Sequence, residues 1–120
     1  MKYQMESSFE IFGEELSERL LTPEAEHLCN VKIYAKELNE RKRDIFHCVV
    51  ARLLFITNRM RPNIYPTVDY LCTHLMKSDE GDWRKLRCLM GYVKKTIDDV
   101  RIIGANSIEE LFTWVDAAYA

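Results

Sequence analysis

A mainly α-helical fold is predicted by three features of these 120 residues. Glycine and proline are scarce, at four and three residues, which disfavours a β fold built on many tight turns. Apolar residues recur at three- and four-residue spacing through most of residues 40–97. Asn39 and Ser78 stand just ahead of the two best such runs, where a helix N-cap belongs. Together they predict a bundle of about four helices, closed by a C-terminal β-hairpin.

The first helix is expected over residues 7–21. Ser7 or Ser8 would cap it, and Phe9, Phe12, Leu16 and Leu20 would form its apolar side. Gly13 weakens it by about 1 kcal/mol relative to alanine. Thr22-Pro23 ends it, and residues 22–38 read as a linker anchored by Leu28, Val31, Ile33 and Leu38. The second helix, 40–59 behind Asn39, buries Phe46, Val49, Val50, Leu53, Ile56 and Met60 on one face. Arg52, Phe55 and Arg59 lie on the other face. Pro62 stops that helix and opens a third over 63–77, with Ile64, Val68, Leu71, Leu75 and Cys72 inward. Pro66 falls in its first turn, where a missing N–H costs little. The fourth helix spans 79–97, capped by Ser78, with Asp79, Glu80 and Asp82 in its first turn. Trp83, Leu86, Leu89, Met90, Val93 and Ile97 form its apolar stripe. Beyond Thr96 the period changes. Val100, Ile102 and Ile103, then Leu111–Val115, read as strands around the turn Gly104–Ser107. The chain divides into a weak helix and linker (1–38), a helical segment (39–97) and the start of a sheet (98–120). A fold that stops on an exposed strand is expected to be cut short.

Composition narrows the function classes. Apolar residues at 48% and charged residues at 30% suit an ordinary soluble domain with one core. A net charge of −2 and pI near 5.9 lack the positive excess of a stand-alone nucleic-acid binder. Any such contact must use a local stripe. Cysteines 29, 48, 72 and 88 form no CxxC pair and read as reduced thiols. Met1–Ser8 has no signal-peptide core, and the apolar run Val49–Ile56 is short and broken by Arg52. The expectation is a soluble intracellular protein with no membrane partner.

Few groups have the spacing that chemistry needs. His27 with Cys29, His47 with Cys48, and Cys72 with His74 invite a zinc site. Helical neighbours one or two apart diverge by about 100° or 200°, so neither helical pair grips one ion. No Cys–His nucleophile signature and no phosphate-binding glycine loop is present. Asp98 and Asp99 precede the first expected strand, and Asp116 ends the second. Two-metal phosphodiester chemistry needs several converging carboxylates, and one cannot hold such a site. Arg84, Arg87, Lys94 and Lys95 lie on one side of the fourth helix. A cationic stripe of this kind tracks a phosphate backbone through counterion release, or is simply a solvated face.

Several runs carry a family resemblance. Phe46-His47-Cys48-Val49-Val50-Ala51-Arg52-Leu53-Leu54 resembles the F-H-x-x-V-A-K-L-L segment of copia-type retrotransposon polyproteins. Arg61-Pro62-Asn63-Ile64 is similar to their R-P-D-I, with Asn63 in place of Asp. Asp82-Trp83, the basic run through Arg87, and Tyr92-Val93-Lys94-Lys95-Thr96 resemble h-W-x-x-x-K-R-x-L-x-Y-L-K-G-T, with Lys95 where glycine is expected. Val115-Asp116-Ala117-Ala118-Tyr119-Ala120 resembles D-A-D-W-A or D-A-S-Y-A. The resemblance runs from about residue 22 to the end, with four motifs in order.

In that family the helices form the thumb and connection behind the polymerase palm, holding the RNA–DNA primer–template duplex. The last segment opens the RNase H domain. The resemblance therefore implies that Asp116 descends from a Mg²⁺ ligand and that Arg84, Arg87, Lys94 and Lys95 approach the duplex. Its partners would be that duplex and the rest of the polyprotein. The polymerase Tyr-Val-Asp-Asp motif and the other RNase H carboxylates are not in this sequence. The chain alone is thus expected to be a non-catalytic fragment, with no cofactor of its own; Mg²⁺ belongs to the parent. The rival expectation is a stand-alone helical interaction module that pairs through Arg52, Phe55 and Arg59 and has no nucleic-acid role.

Overall fold

The computed structural model of the protein describes residues 2–16, 21–23, 36–99, 107 and 109–110. Within them the chain is mainly helical. The first helix, α1, spans Lys2–Phe12, earlier than the periodicity predicts. Gly13 sets its end rather than weakening its middle. Its φ of 69° is left-handed, and its N–H bonds the Phe9 carbonyl at 3.0 Å. A glycine just past a helix turns the chain this way without a Cβ penalty. Ser8 is no cap: it is buried mid-helix and its hydroxyl donates to the Gln4 carbonyl at 2.8 Å.

The second helix, α2, spans Glu40–Arg59 as the sequence predicts. Asn39 caps it, its side-chain oxygen accepting the Lys42 N–H at 2.8 Å. Phe46, Val49, Val50, Leu53 and Ile56 are at most 1% exposed. The chain turns through a 3-10 segment, Pro62–Ile64, before α3 at Tyr65–Thr73. This third helix is shorter than expected, because His74 leaves helical geometry and a second 3-10 turn, Leu75–Lys77, follows. Ile64, Val68 and Leu71 are buried, while Cys72 and Leu75 pack on the core's edge.

The fourth helix, α4, spans Glu80–Lys95. Its N-cap is Asp79 and not Ser78. Asp79 Oδ1 accepts the Asp82 N–H at 2.9 Å, and Asp82 Oδ2 accepts the Asp79 N–H at 3.1 Å. This reciprocal capping box satisfies two N–H groups that a helix start leaves open. Ser78 is used through its backbone instead. Its carbonyl accepts the Leu38 N–H, and the Lys36 carbonyl accepts the Glu80 N–H, around an isolated Glu37–Asp79 bridge. Leu38, 3% exposed, is thereby anchored as expected. Trp83, Leu86, Leu89, Met90 and Val93 complete one core with α1–α3.

Met5 and Phe12 of α1 belong to that same core, and Phe12 stacks on Trp83 at 4.8 Å between ring centroids. The first helix is therefore continuous with the 39–97 segment in packing. Among the described residues there is no strand. The two strands of the expected hairpin, Val100–Ile103 and Leu111–Val115, lie outside them, as do Leu20, Leu28, Cys29, Val31 and Ile33. Asp98 lies in the turn Thr96–Asp98, where the Asp99 N–H bonds the Thr96 carbonyl at 3.0 Å, and the strand expected to follow lies outside the described residues. No described helix is long and apolar enough to cross a membrane.

A Cβ on Gly13 would meet no atom closer than 3.8 Å, so only its φ opposes substitution. Gly13→Ala should cost about 1–2 kcal/mol in urea unfolding; an unchanged midpoint would show that the turn relaxes freely.

Candidate nucleic-acid interface on α4

The helical spacing of α4 sorts its cations onto two sides. Arg84, Arg87, Lys94 and Lys95 fall within an arc of about 100° at 100° per residue. All four are exposed, along roughly 16 Å of helix axis. The structure therefore brings the expected basic stripe together. Arg87 is held by a carboxylate within the fold. Arg87 Nη2 lies 2.6 Å from Glu14 Oε2, and its Nε donates to the same oxygen at 2.7 Å. The other Glu14 oxygen accepts the Trp83 indole N–H at 2.9 Å. Glu14 thus ties the segment after α1 to α4 and neutralises Arg87 within the stripe. Asp116 lies outside the described residues.

The cation next to Arg84 in sequence behaves differently. Lys85 is 3% exposed. It sits three residues after Asp82 and four before Leu89, on the buried side. Its Nζ lies 3.8 Å from Asp82 Oδ1 and 3.5 Å from the Tyr70 hydroxyl, 5.0 Å from that ring's centroid. Asp82 Oδ2 also faces His74 Nδ1 at 3.3 Å, and His74 stacks on Tyr70 at 4.8 Å. A buried carboxylate thus caps α4 while facing a lysine and a histidine. Lone buried charges are costly, and clustering them offsets the loss of water. Sequence reading did not single out Lys85. The Asp82–Lys85 spacing, three apart on a helix, was the available signal.

At the far end of α4, two motif segments meet. Arg61, 4% exposed, donates from Nη1 to the Thr96 carbonyl at 2.9 Å. Its Nη2 donates to Thr96 Oγ1 at 2.6 Å, and its Nε to Asn63 Oδ1 at 3.2 Å. Asn63 Nδ2 donates to the Tyr92 hydroxyl at 3.1 Å. The planar guanidinium suits this task, because it presents several donors in fixed directions. Thr96 is the C-cap of α4, so Arg61 satisfies a carbonyl that the helix end leaves open.

Lys42 Nζ sits 5.1 Å above the Trp83 ring and 3.3 Å from both Glu80 carboxylate oxygens. It borders an open cleft of about 440 Å³ with Glu10, Phe12, Glu14, Arg41 and Trp83. The acidic and basic walls balance, so the cleft adds no cationic surface to the stripe. Elsewhere the hydrogen bond from Lys2 to exposed Asp98, at 2.6 Å, raises the lysine pKa. Burial raises the thiol pKa values of Cys72 and Cys88, which disfavours the nucleophilic thiolate. Among the described residues no three His, Cys, Asp or Glu side chains are placed to hold a metal ion.

Asp82→Ala removes the capping box and the carboxylate 3.8 Å from Lys85, so it should cost about 3–5 kcal/mol in urea unfolding. Lys85→Met should cost clearly less, because Asp82 keeps its backbone and His74 partners. Equal losses would mean that the lysine contributes as much as the carboxylate and refute the primacy of Asp82. No protein-family model, no curated protein and no solved structure matches the chain.

Proposed function

We propose that this chain is the thumb and connection segment of a copia-type retrotransposon polyprotein, running into the first strand of its RNase H part. In the parent enzyme it would help hold the RNA–DNA primer–template duplex. The observation that supports this reading is the Arg61 cluster. The resemblance rests in part on two short motifs about thirty residues apart, one holding Arg61 and Asn63, the other Tyr92 and Thr96. Those four side chains hydrogen-bond one another. Residues picked out by pattern alone therefore share one physical task. An aspartate at position 63, as in the family pattern, would accept from the same Arg61 Nε with added charge.

The chemistry assigned to the segment is positioning. Arg84, Lys94 and Lys95 would meet phosphates, which fixes a duplex without reading its sequence. The engaged Arg87 and the net charge of −2 make this a local contact on an otherwise acidic surface. Catalysis belongs to the parent. Asp116 would be one Mg²⁺ ligand, and a two-metal centre depends on its whole carboxylate cluster.

RNA–DNA hybrid binding, followed by fluorescence anisotropy across a salt series, tests the duplex role. Affinity should fall steeply with salt. Neutralising Arg84, Lys94 and Lys95 together should flatten the log–log slope by about 0.9 for each lost phosphate contact. Salt-independent binding, or a slope unmoved by the triple variant, would overturn the role. Residues 1–120 incubated with hybrid and Mg²⁺ should leave the RNA strand intact. Cleavage that disappears in Asp116→Asn would refute the non-catalytic assignment.

A further inference from the structure

The outward face of α2 carries a pattern that the core does not explain. Asp44, Cys48, Ala51, Phe55 and Asn58 repeat at spacings of four, three, four and three residues, and all are exposed. That is the spacing of a seam between two packed helices. Phe55 is 45% exposed, an unusual position for so large an apolar ring in mid-helix. Arg59 lies over it, 3.8 Å from the ring centroid. Arg52, expected on the same face, is half-buried and donates to Ser7 Oγ at 3.0 Å, so it belongs to the contact with α1.

We propose that this face pairs with the same face of a second copy of the chain, the two α2 helices running antiparallel about a two-fold axis near Ala51. The pattern is self-complementary in both shape and charge. Antiparallel pairing about that point sets Phe55 of each copy against the small residues Cys48 and Ala51 of the other. A large knob thus meets a shallow hole, twice. The same register brings Asp44, near the start of α2, opposite Arg59, at its end. Among the described residues Asp44 has no ion-pair partner, and Arg59 is held only over Phe55. Both pairs form at once, as a two-fold interface requires. A parallel arrangement would set Asp44 against Asp44 and Arg59 against Arg59. One helix face buries less than the roughly 1,200 Å² of a standard interface, so the dimer is of the weak, reversible kind. The pairing does not depend on duplex binding, because the cations assigned to the duplex lie on α4.

Sedimentation equilibrium of the 120-residue chain from about 10 µM to about 1 mM reads the association directly. The apparent mass should climb toward twice the monomer's, and Phe55→Asp should hold it at the monomer value with an unchanged circular dichroism spectrum. Asp44→Arg and Arg59→Asp should each weaken the dimer at least tenfold, since each sets like charges face to face. Mixed one to one, those two variants should associate again, because every cross-pair is then matched. Three results would overturn the proposal: a wild-type chain that stays monomeric throughout, a dimer indifferent to Phe55→Asp, or charge variants that do not rescue each other. The last would also be the outcome if another segment or an unrelated partner occupies this face.

Discussion

A guanidinium almost removed from solvent fixes the frame of this protein. Arg61 stands where the chain leaves α2, and its donors go to the carbonyl and hydroxyl of Thr96 at the end of α4. A buried cation without acceptors costs several kcal/mol, so this geometry is held or the region opens. The ends of two long helices are thereby locked together, with the Tyr92 ring alongside, 5.9 Å from centroid to guanidinium carbon. Pro62 reinforces the constraint by denying α2 any continuation past that point. The shared apolar face of α2, α3 and α4 then has little freedom in how it packs.

The opposite end of α4 is fixed by different means. Asp82 closes the capping box, meets His74 from the segment after α3, and approaches Lys85 within its own helix. One carboxylate therefore sets where α4 begins and how the α3 connection lies against it. Glu14 adds a third tie, bridging Trp83 and Arg87. These contacts treat the cations of α4 differently. Its inner cation is satisfied within the fold, and one outer cation is matched by the α1 segment. Arg84, Lys94 and Lys95 lie with Arg87 on the exposed arc.

Two regions of the described surface differ in chemistry. The α4 arc offers charge without apolar area, suited to a phosphate backbone. The α2 face offers one aromatic ring, small neighbours and a single pair of opposite charges, suited to a helix of matching pattern. A face combining limited apolar area with complementary charge favours specific, reversible association over general stickiness.

Local physics in the sequence determined the mainly helical class, the bounds and cap of α2, and the buried faces of α2 and α4. Each follows from a three- to four-residue apolar repeat, or from a side chain bonding a backbone N–H three residues away. The basic arc on α4 was legible for the same reason. Only the tertiary structure decided the rest. Gly13 ends α1 because a left-handed φ is needed there, and a lone glycine in a periodic run does not announce it. Asp79 rather than Ser78 caps α4, because Asp79 and Asp82 bond each other's N–H groups reciprocally while the Ser78 carbonyl meets the distant Leu38 N–H. Arg87 is engaged because Glu14, 73 residues away, reaches it. Arg61 meets Thr96 across 35 residues. Such pairings depend on how packed helices bring distant side chains within hydrogen-bond range, and no local period encodes that distance.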